Sequence, residues 1–201
     1  MGKVTCGLSV SLDGFIADKN DDVSEVFAWM GRAMEHFYEV IGDQLNEGGV
    51  VIMGHRSFQQ IDNEQGWIMP DGTPLPGPVI VLQSQAREPL KQGQTQYYFV
   101  TEGIESAIAK ARELAGEKTI ALHGASAVQQ ALSAGLLDEI NMSVAHVLLG
   151  EGVRLFDHLG PKPIHLEPIR TLETPGATHL SFRVVKEGWL RLSENGKEKT
   201  R

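Results

Sequence analysis

Cysteine is almost absent. The 201 residues contain one, Cys6, in an apolar N-terminal segment. A lone cysteine has no disulfide partner, which argues against a stapled secreted scaffold and for a reducing compartment, a cytoplasm. Basic charge is also scarce: 18 Lys and Arg face 26 Asp and Glu, a formal net charge of -8. Most of the surface therefore repels nucleic acid and anionic membrane, and any phosphate ligand must be held by a local site. No stretch approaches the ~18 apolar residues that a spanning helix needs. The start Met1-Gly2-Lys3-Val4-Thr5-Cys6 lacks the apolar core of a signal peptide and the Ser or Thr of a myristoylation pattern, so neither a leader nor a membrane anchor is expected.

Several chemical signatures are missing too. There is no Walker pattern, and Gly150-Glu151-Gly152 runs on as Val153-Arg154-Leu155, which breaks the dinucleotide pattern G-x-G-x-x-G. The seven histidines show no H-E-x-x-H or close His-Cys spacing, so no metal site is expected. No G-x-S-x-G nucleophile elbow is present.

What is there is an ordinary globular composition, 41% hydrophobic and 22% charged, in a length that suits one domain. Val4 to Val10 alternates as a strand. Val26, Phe27, Met30, Met34, Phe37, Val40, Ile41 and Leu45 follow at helical spacings. Val50 to Met53, Val79 to Leu82, Tyr97 to Val100 and Thr119 to Leu122 are short apolar runs of the kind buried on both faces. Asn63 to Pro78 is a breaker-rich loop around Trp67 and Ile68. Thr101 is a candidate cap for a helix with stripe Ile104, Ile108, Ala111 and Ala115, stopped by Gly116. Ile140 to Leu149 forms a long strand and a candidate homodimer contact. Ile164 to Leu172 and Thr178 to Lys186 form an antiparallel hairpin. Strands alternating with helices and ending in strands alone predict an α/β domain over residues 1–188 with a mixed, mostly parallel sheet. A polar tail over 189–201 follows.

The organising stretch is Val50-Val51-Ile52-Met53-Gly54-His55-Arg56-Ser57-Phe58, an apolar strand that stops at a glycine and turns into a helix. Free backbone N–H groups at such a helix start attract anions. Leu122-His123-Gly124-Ala125-Ser126 repeats the arrangement. Two readings stand at this point: a pair of plain strand-to-helix turns with a solvated Arg56, or one two-pronged anion site. Farther upstream, Ser11-Leu12-Asp13-Gly14-Phe15-Ile16-Ala17 is a loop too apolar to be idle. Phe15 and Ile16 either plug the core or lie over a flat ring. Asp13 is either a turn residue or a general acid.

These residues resemble the dihydrofolate reductase family. Val51 to Phe58 matches its strand, Met-Gly, two basic residues, hydroxyl and aromatic. Leu82-Gln83-Ser84-Gln85 is similar to its second cofactor strand, and Leu122 to Ser126 to its Gly-Gly turn. Ser11 to Ala17, Gly124 to Val128, Ala134 to Glu139, and Leu148 to Gly152 before Leu155-Phe156 look more like the reductase domain of the bacterial riboflavin-biosynthesis deaminase-reductase.

The resemblance spans about Lys3 to Lys186 and implies a three-layer α/β/α fold and a hydride transfer from NADPH to a small heterocyclic or carbonyl or imine substrate. It implies that Gly54, His55, Arg56, Ser57, Leu82, Gln83 and Ser84 hold the adenosine 2′-phosphate and pyrophosphate. Leu122, His123, Gly124, Ala125, Ser126 and Ala127 would cradle the pyrophosphate, and Ser9, Ile16 and Ala17 would line the nicotinamide. Three departures stand out. Val26 occupies the register of the family's helix carboxylate, with Glu25 about 100° away. Gln59 to Trp67 replaces an Asp-Asp-Pro-x-Leu segment, and His123 replaces a glycine. Folate reduction and a non-catalytic nucleotide-binding sensor are the alternatives.

Overall fold

A computed structural model describes residues 2–36, 39–40 and 48–186. The chain opens with β1 (Val4–Ser11) and the short β2 (Phe15–Ala17), then α1 (Ser24–Arg32) and a 3-10 turn at Met34–His36. β3 (Gly48–Gly54) leads directly into α2 (His55–Ile61), and β4 (Val79–Leu82), β5 (Leu90–Gln92) and β6 (Thr95–Val100) follow. Then come α3 (Ile104–Ala115), β7 (Thr119–His123), α4 (Ala125–Ser133) and β8 (Glu139–Ala145). The short β9 (Val153–Arg154) and the hairpin β10 (His165–Thr174) and β11 (Ala177–Val185) complete the described chain.

Nine strands form one sheet in the order β10-β11-β8-β1-β7-β3-β4-β6-β5. β1 pairs in parallel with β7 and β8, β3 with β7 and β4, and β4 with β6. The edges are antiparallel, through β5 with β6 on one side and β11 with β8 and β10 on the other. Strands buried on both faces read as unbroken apolar runs, and Val79 to Leu82 are all buried. On one face, Cys6, Leu8, Ile52 and Ile80 pack with Ile108 and Ala111 of α3 and with Val128 and Ala131 of α4. On the other, Phe58 of α2 packs with Met53, Val79, Val81 and Tyr97, and Trp29 of α1 with Ala145 and Ala177. Helices on both faces make the three layers.

Two details differ from the sequence reading. Thr101 does not cap α3: the cap is Gly103, whose φ of 90° a glycine alone adopts freely, and Thr101 donates to Glu102 instead. β8 ends at Ala145 because the chain beyond it is drawn into a clasp, with Leu12 N–H on Val147 O and Asp13 on Leu149 and Gly150 N–H. β8 itself is paired on both edges, by β1 and β11. Of the two helices, or one kinked at Gly31, expected from Val26 to Leu45, α1 and the 3-10 turn are seen. The rest of that stretch lies largely outside the described residues, as do the end of the 1–188 domain and the 189–201 tail.

Phe58 is fully buried, edge-on to Tyr97 at 5.1 Å and to Phe99 at 5.6 Å, and it holds α2 to the sheet. Phe58→Ala is expected to lower stability by about 3–5 kcal/mol, read as a lower urea midpoint with an unchanged slope. A loss under ~1 kcal/mol would mean that α2 is not seated through this ring.

Candidate functional site

Parallel strands bring their carboxyl ends to one edge of the sheet. β3 and β7 are neighbours with Met53 opposite His123, so the two glycine corners that follow them lie side by side. Gly124 takes φ +87°, and a Cβ built there would lie 2.6 Å from Ser57 Oγ, so the second corner touches the first helix. At Gly54 a Cβ would meet nothing within 4 Å; that corner opens into a cleft. α4 starts at Ala125, and the N–H groups of its first turn have no partner within the helix. The cleft thus collects backbone donors, the hydroxyls of Ser57 and Ser126, and the Arg56 guanidinium along one rim.

The enclosed volume is about 170 Å³, below the range that engulfs a drug-sized ligand. An extended ligand would be enclosed at one end and lie along the open sheet edge for the rest. That enclosed end is apolar: Leu8, Ile16, Ala17, Val23, Phe27 and Val153 line it with Ser9. Ser9 accepts the indole N–H of Trp29 at 3.0 Å, and Trp29 lies edge-on to His179 at 4.7 Å. The His179 ring is held between the hydroxyls of Ser143 and Thr174, each at 2.8 Å, and burial pushes its pKa down.

Of the residues picked out from sequence, Ser9, Ile16, Ala17, Gly54, Arg56, Ser57, His123, Gly124, Ala125 and Ser126 line this one cleft. Leu82, Leu122 and Ala127 sit behind it in the core. His55 points along the outer side of α2, its Nδ1 3.1 Å from Gln83 Oε1, with Ser84 exposed beside it. Phe15 is buried beneath the Arg154 guanidinium, whereas Ile16 packs against the core and lines the cleft. Trp67 does not line the cleft but packs edge-on against His123, with the ring centroids 5.0 Å apart. His123 Nδ1 is buried without a partner and burial pushes the ring down to about 4, so it sits neutral near pH 7.

Asp13 is placed outside the cleft. Its carboxylate accepts the Ser11 hydroxyl at 2.6 Å and the N–H groups of Leu149 and Gly150 at 3.1 and 2.7 Å. The Ser11 bond leads the causes that hold its pKa down to about 2. These bonds make Asp13 a clasp between two loops, and a carboxylate held this low is ionised near neutrality, which favours the turn reading over the general-acid one. Glu25 is exposed on α1 and does not face the cleft. Residues not singled out from the sequence also line it, among them Asp21, Val23, Gln60 and Val153. Asp21 is the consequential one: Arg56 Nε donates to its carboxylate at 2.8 Å. Among the described residues no group of three or more His, Cys, Asp or Glu is placed to hold a metal, and no helix is long and apolar enough to cross a membrane.

Comparison with known proteins places this geometry. A family model described as the RibD C-terminal domain matches residues 2–180. The uncharacterized protein YyaP of Bacillus subtilis (strain 168) is 26% identical over 160 residues, 77% of this chain and 80% of that one. A solved structure named for riboflavin biosynthesis, from Shewanella sp. PV-4, superposes with a TM-score of 0.69 at 21% identity, covering 92% of this chain and 99% of that one. A diaminohydroxyphosphoribosylaminopyrimidine deaminase/5-amino-6-(5-phosphoribosylamino)uracil reductase of Thermotoga maritima gives a TM-score of 0.62 at 13% identity, over 92% of this chain and 57% of that longer one. Dihydrofolate reductase of Enterococcus faecalis gives 0.56 at 13% identity, over 90% and 96%. The fold is accordingly the dihydrofolate-reductase-like α/β/α sandwich, with the mixed sheet and C-terminal antiparallel pair expected from the sequence.

The clasp has a pH signature. Because the folded-state value of Asp13 lies below its ordinary 3.8, the carboxylate adds stability above that pH, and the contribution disappears as pH falls through about 2. Asp13→Asn is expected to be less stable than the parent at neutral pH, with the gap closing between those two values. A gap that stays constant with pH in paired denaturation curves would show that the charge of Asp13 is not what closes the loops.

Proposed function

This chain belongs to the RibD C-terminal domain family, and on that premise we propose that it is an NADPH-dependent reductase. Its substrate would be a small heterocycle or a carbonyl or imine compound, with the aminouracil named for the Thermotoga maritima relative as the reference chemistry. What supports this above all is the convergence of the Gly54 and Gly124 corners beside an apolar chamber. The donors fit the cofactor. Backbone N–H groups at the start of α4, with Ser57, Ser126 and Arg56, match a pyrophosphate. His55, Gln83 and Ser84, on the outer side of α2, match a 2′-phosphate. Leu8, Ile16 and Ala17 supply a flat apolar seat for the nicotinamide.

Bound NADPH would supply the hydride; the chain's own task is to align the ring with substrate and exclude water. Arg56 is thereby assigned to the pyrophosphate and not to the phosphate that distinguishes NADPH from NADH. The apolar end argues against folate. Asp21 is the one carboxylate that lines the cleft among the described residues, and it is engaged by Arg56. A protonated pterin-like ring would find no counter-charge near Phe27. The outward clasp of Asp13 favours one second reading, a nucleotide-binding protein without turnover, because among the described residues it leaves the apolar part of the cleft without a carboxylic acid free to donate a proton.

Two measurements test the proposal. His55→Ala combined with Gln83→Ala is expected to weaken NADPH binding roughly tenfold, the scale of one or two polar contacts to a charged group, and NADH binding much less; equal losses would remove the 2′-phosphate assignment. NADPH consumption should appear with a ribosylaminopyrimidine and not with dihydrofolate. Binding without consumption across a panel of pyrimidines, pterins and simple carbonyl compounds would favour the sensor reading.

A further inference from the structure

One contact in the cleft works against the anion site that surrounds it. Arg56, the cation among the cleft-lining residues, is held by Asp21: its Nε donates to Oδ2 at 2.8 Å, and a terminal nitrogen of the guanidinium reaches the same carboxylate. This fork-on-carboxylate arrangement is also how a guanidinium takes a phosphate.

The carboxylate is built into its place. Asp21 has φ 67°, a left-handed conformation shared among the described non-glycine residues only by His158. The preceding turn produces it. Asp18 Oδ1 accepts the N–H groups of Asn20 and Asp22 at 2.7 and 2.9 Å, and the Asp21 N–H reaches Asp18 O at 3.2 Å. Gln60, on the turn of α2 after Arg56, donates its amide to Asp21 O at 3.4 Å. Lys19 pairs with Glu151 at 2.7 Å, tying the same segment to the loop before β9. The remaining ionisable group lining the cleft, His123, is neutral. Arg56 and Asp21 together therefore leave the side chains of the rim with no net charge, and an incoming phosphate meets a carboxylate already seated on the one cation among the described lining residues.

We propose that Asp21 is a specificity-setting residue: its carboxylate stands on Arg56 where a ligand phosphate would stand, so that only an anion also held at the Gly124 corner displaces it. A diphosphate, gripped by α4 and by Arg56 together, meets that condition. A lone phosphate, offered one contact, does not. The inference rests on the reading of this cleft as the pyrophosphate site.

Asparagine at position 21 removes the charge while tolerating the left-handed backbone, and glycine removes the whole side chain with no penalty at that φ. Calorimetric titration of the intact protein with NADPH and with inorganic phosphate is the test, on Asp21→Asn, Asp21→Gly, Arg56→Ala and the Arg56→Ala/Asp21→Asn double variant. Both Asp21 variants are expected to bind NADPH about tenfold more tightly, the scale of a single charge-assisted hydrogen bond made to the ligand. They should also show a measurable affinity for inorganic phosphate that the parent lacks. Arg56→Ala should bind NADPH more weakly, and Asp21→Asn should gain less NADPH affinity in that background than it gains in the parent. If Arg56→Ala weakens NADPH but neither Asp21 variant tightens it, Asp21 orients Arg56 and does not compete for it, and the proposal is overturned while the cleft assignment stands. If Arg56→Ala leaves NADPH binding unchanged, the cleft assignment itself fails and takes the proposal with it.

Discussion

The approach of Gly124 to Ser57 is the constraint on which the site depends. Two parallel strands one ladder apart end at the same edge, and the helices that leave them have to diverge or touch. Here they touch, because position 124 carries no Cβ and accepts φ +87°. Any side chain there would push α2 and α4 apart and divide one cleft into two separate turns. That choice was open when only the spacing of residues was known, and pairing of β3 directly with β7 resolves it.

The antiparallel half of the sheet contributes in a different way. It carries no cofactor-like corner, yet its polar seam reaches the cleft floor. Ser143 lies opposite Ser9 in the β1–β8 register and opposite His179 in the β8–β11 register. The His179 ring is fixed by two hydroxyls and packs against Trp29, whose indole in turn bonds Ser9. Buried polar groups are stable only when their partners are in place, so the orientation of Ser9 in the cleft is tied to a histidine two strands away. This gives the C-terminal hairpin a role at the site that its exposed, charged outer strand β10 does not suggest.

The parallel strands, the two corners and the hairpin were legible in the sequence because each is a local pattern: an apolar run, a glycine, an alternation. Most of the cleft-lining residues followed from matching those corners to a family. What was not legible depended on contacts between distant segments. Asp13 sits in a turn dipeptide, and no local signal tells a catalytic loop from a clasp on residues 149 and 150. Asp21 lies in an ordinary acidic stretch, and its pairing with Arg56, 35 positions later, exists only because β1 and β3 are separated by β7 alone. Thr101 looked like a cap because Thr is a good one, but the chain reaches α3 through Gly103, where the backbone turn decides the cap.

His123, which stands where the family resemblance leads one to expect a glycine, adds no positive charge to the cleft. A charged imidazole there would add a second cation beside Arg56 and draw any phosphate indiscriminately. Burial keeps the ring neutral, and Trp67 packs edge-on against it, so His123 helps to anchor the breaker-rich loop from Asn63 to Pro78, in which Trp67 also bonds Thr95 and Leu75. With that ring neutral and Arg56 matched by Asp21, attraction for an anion in the proposed site would fall to fixed backbone donors and hydroxyls. Such donors act over short range and demand a particular shape. If the cleft is the pyrophosphate site proposed above, it would on this acidic chain select by the geometry of two corners more than by net charge.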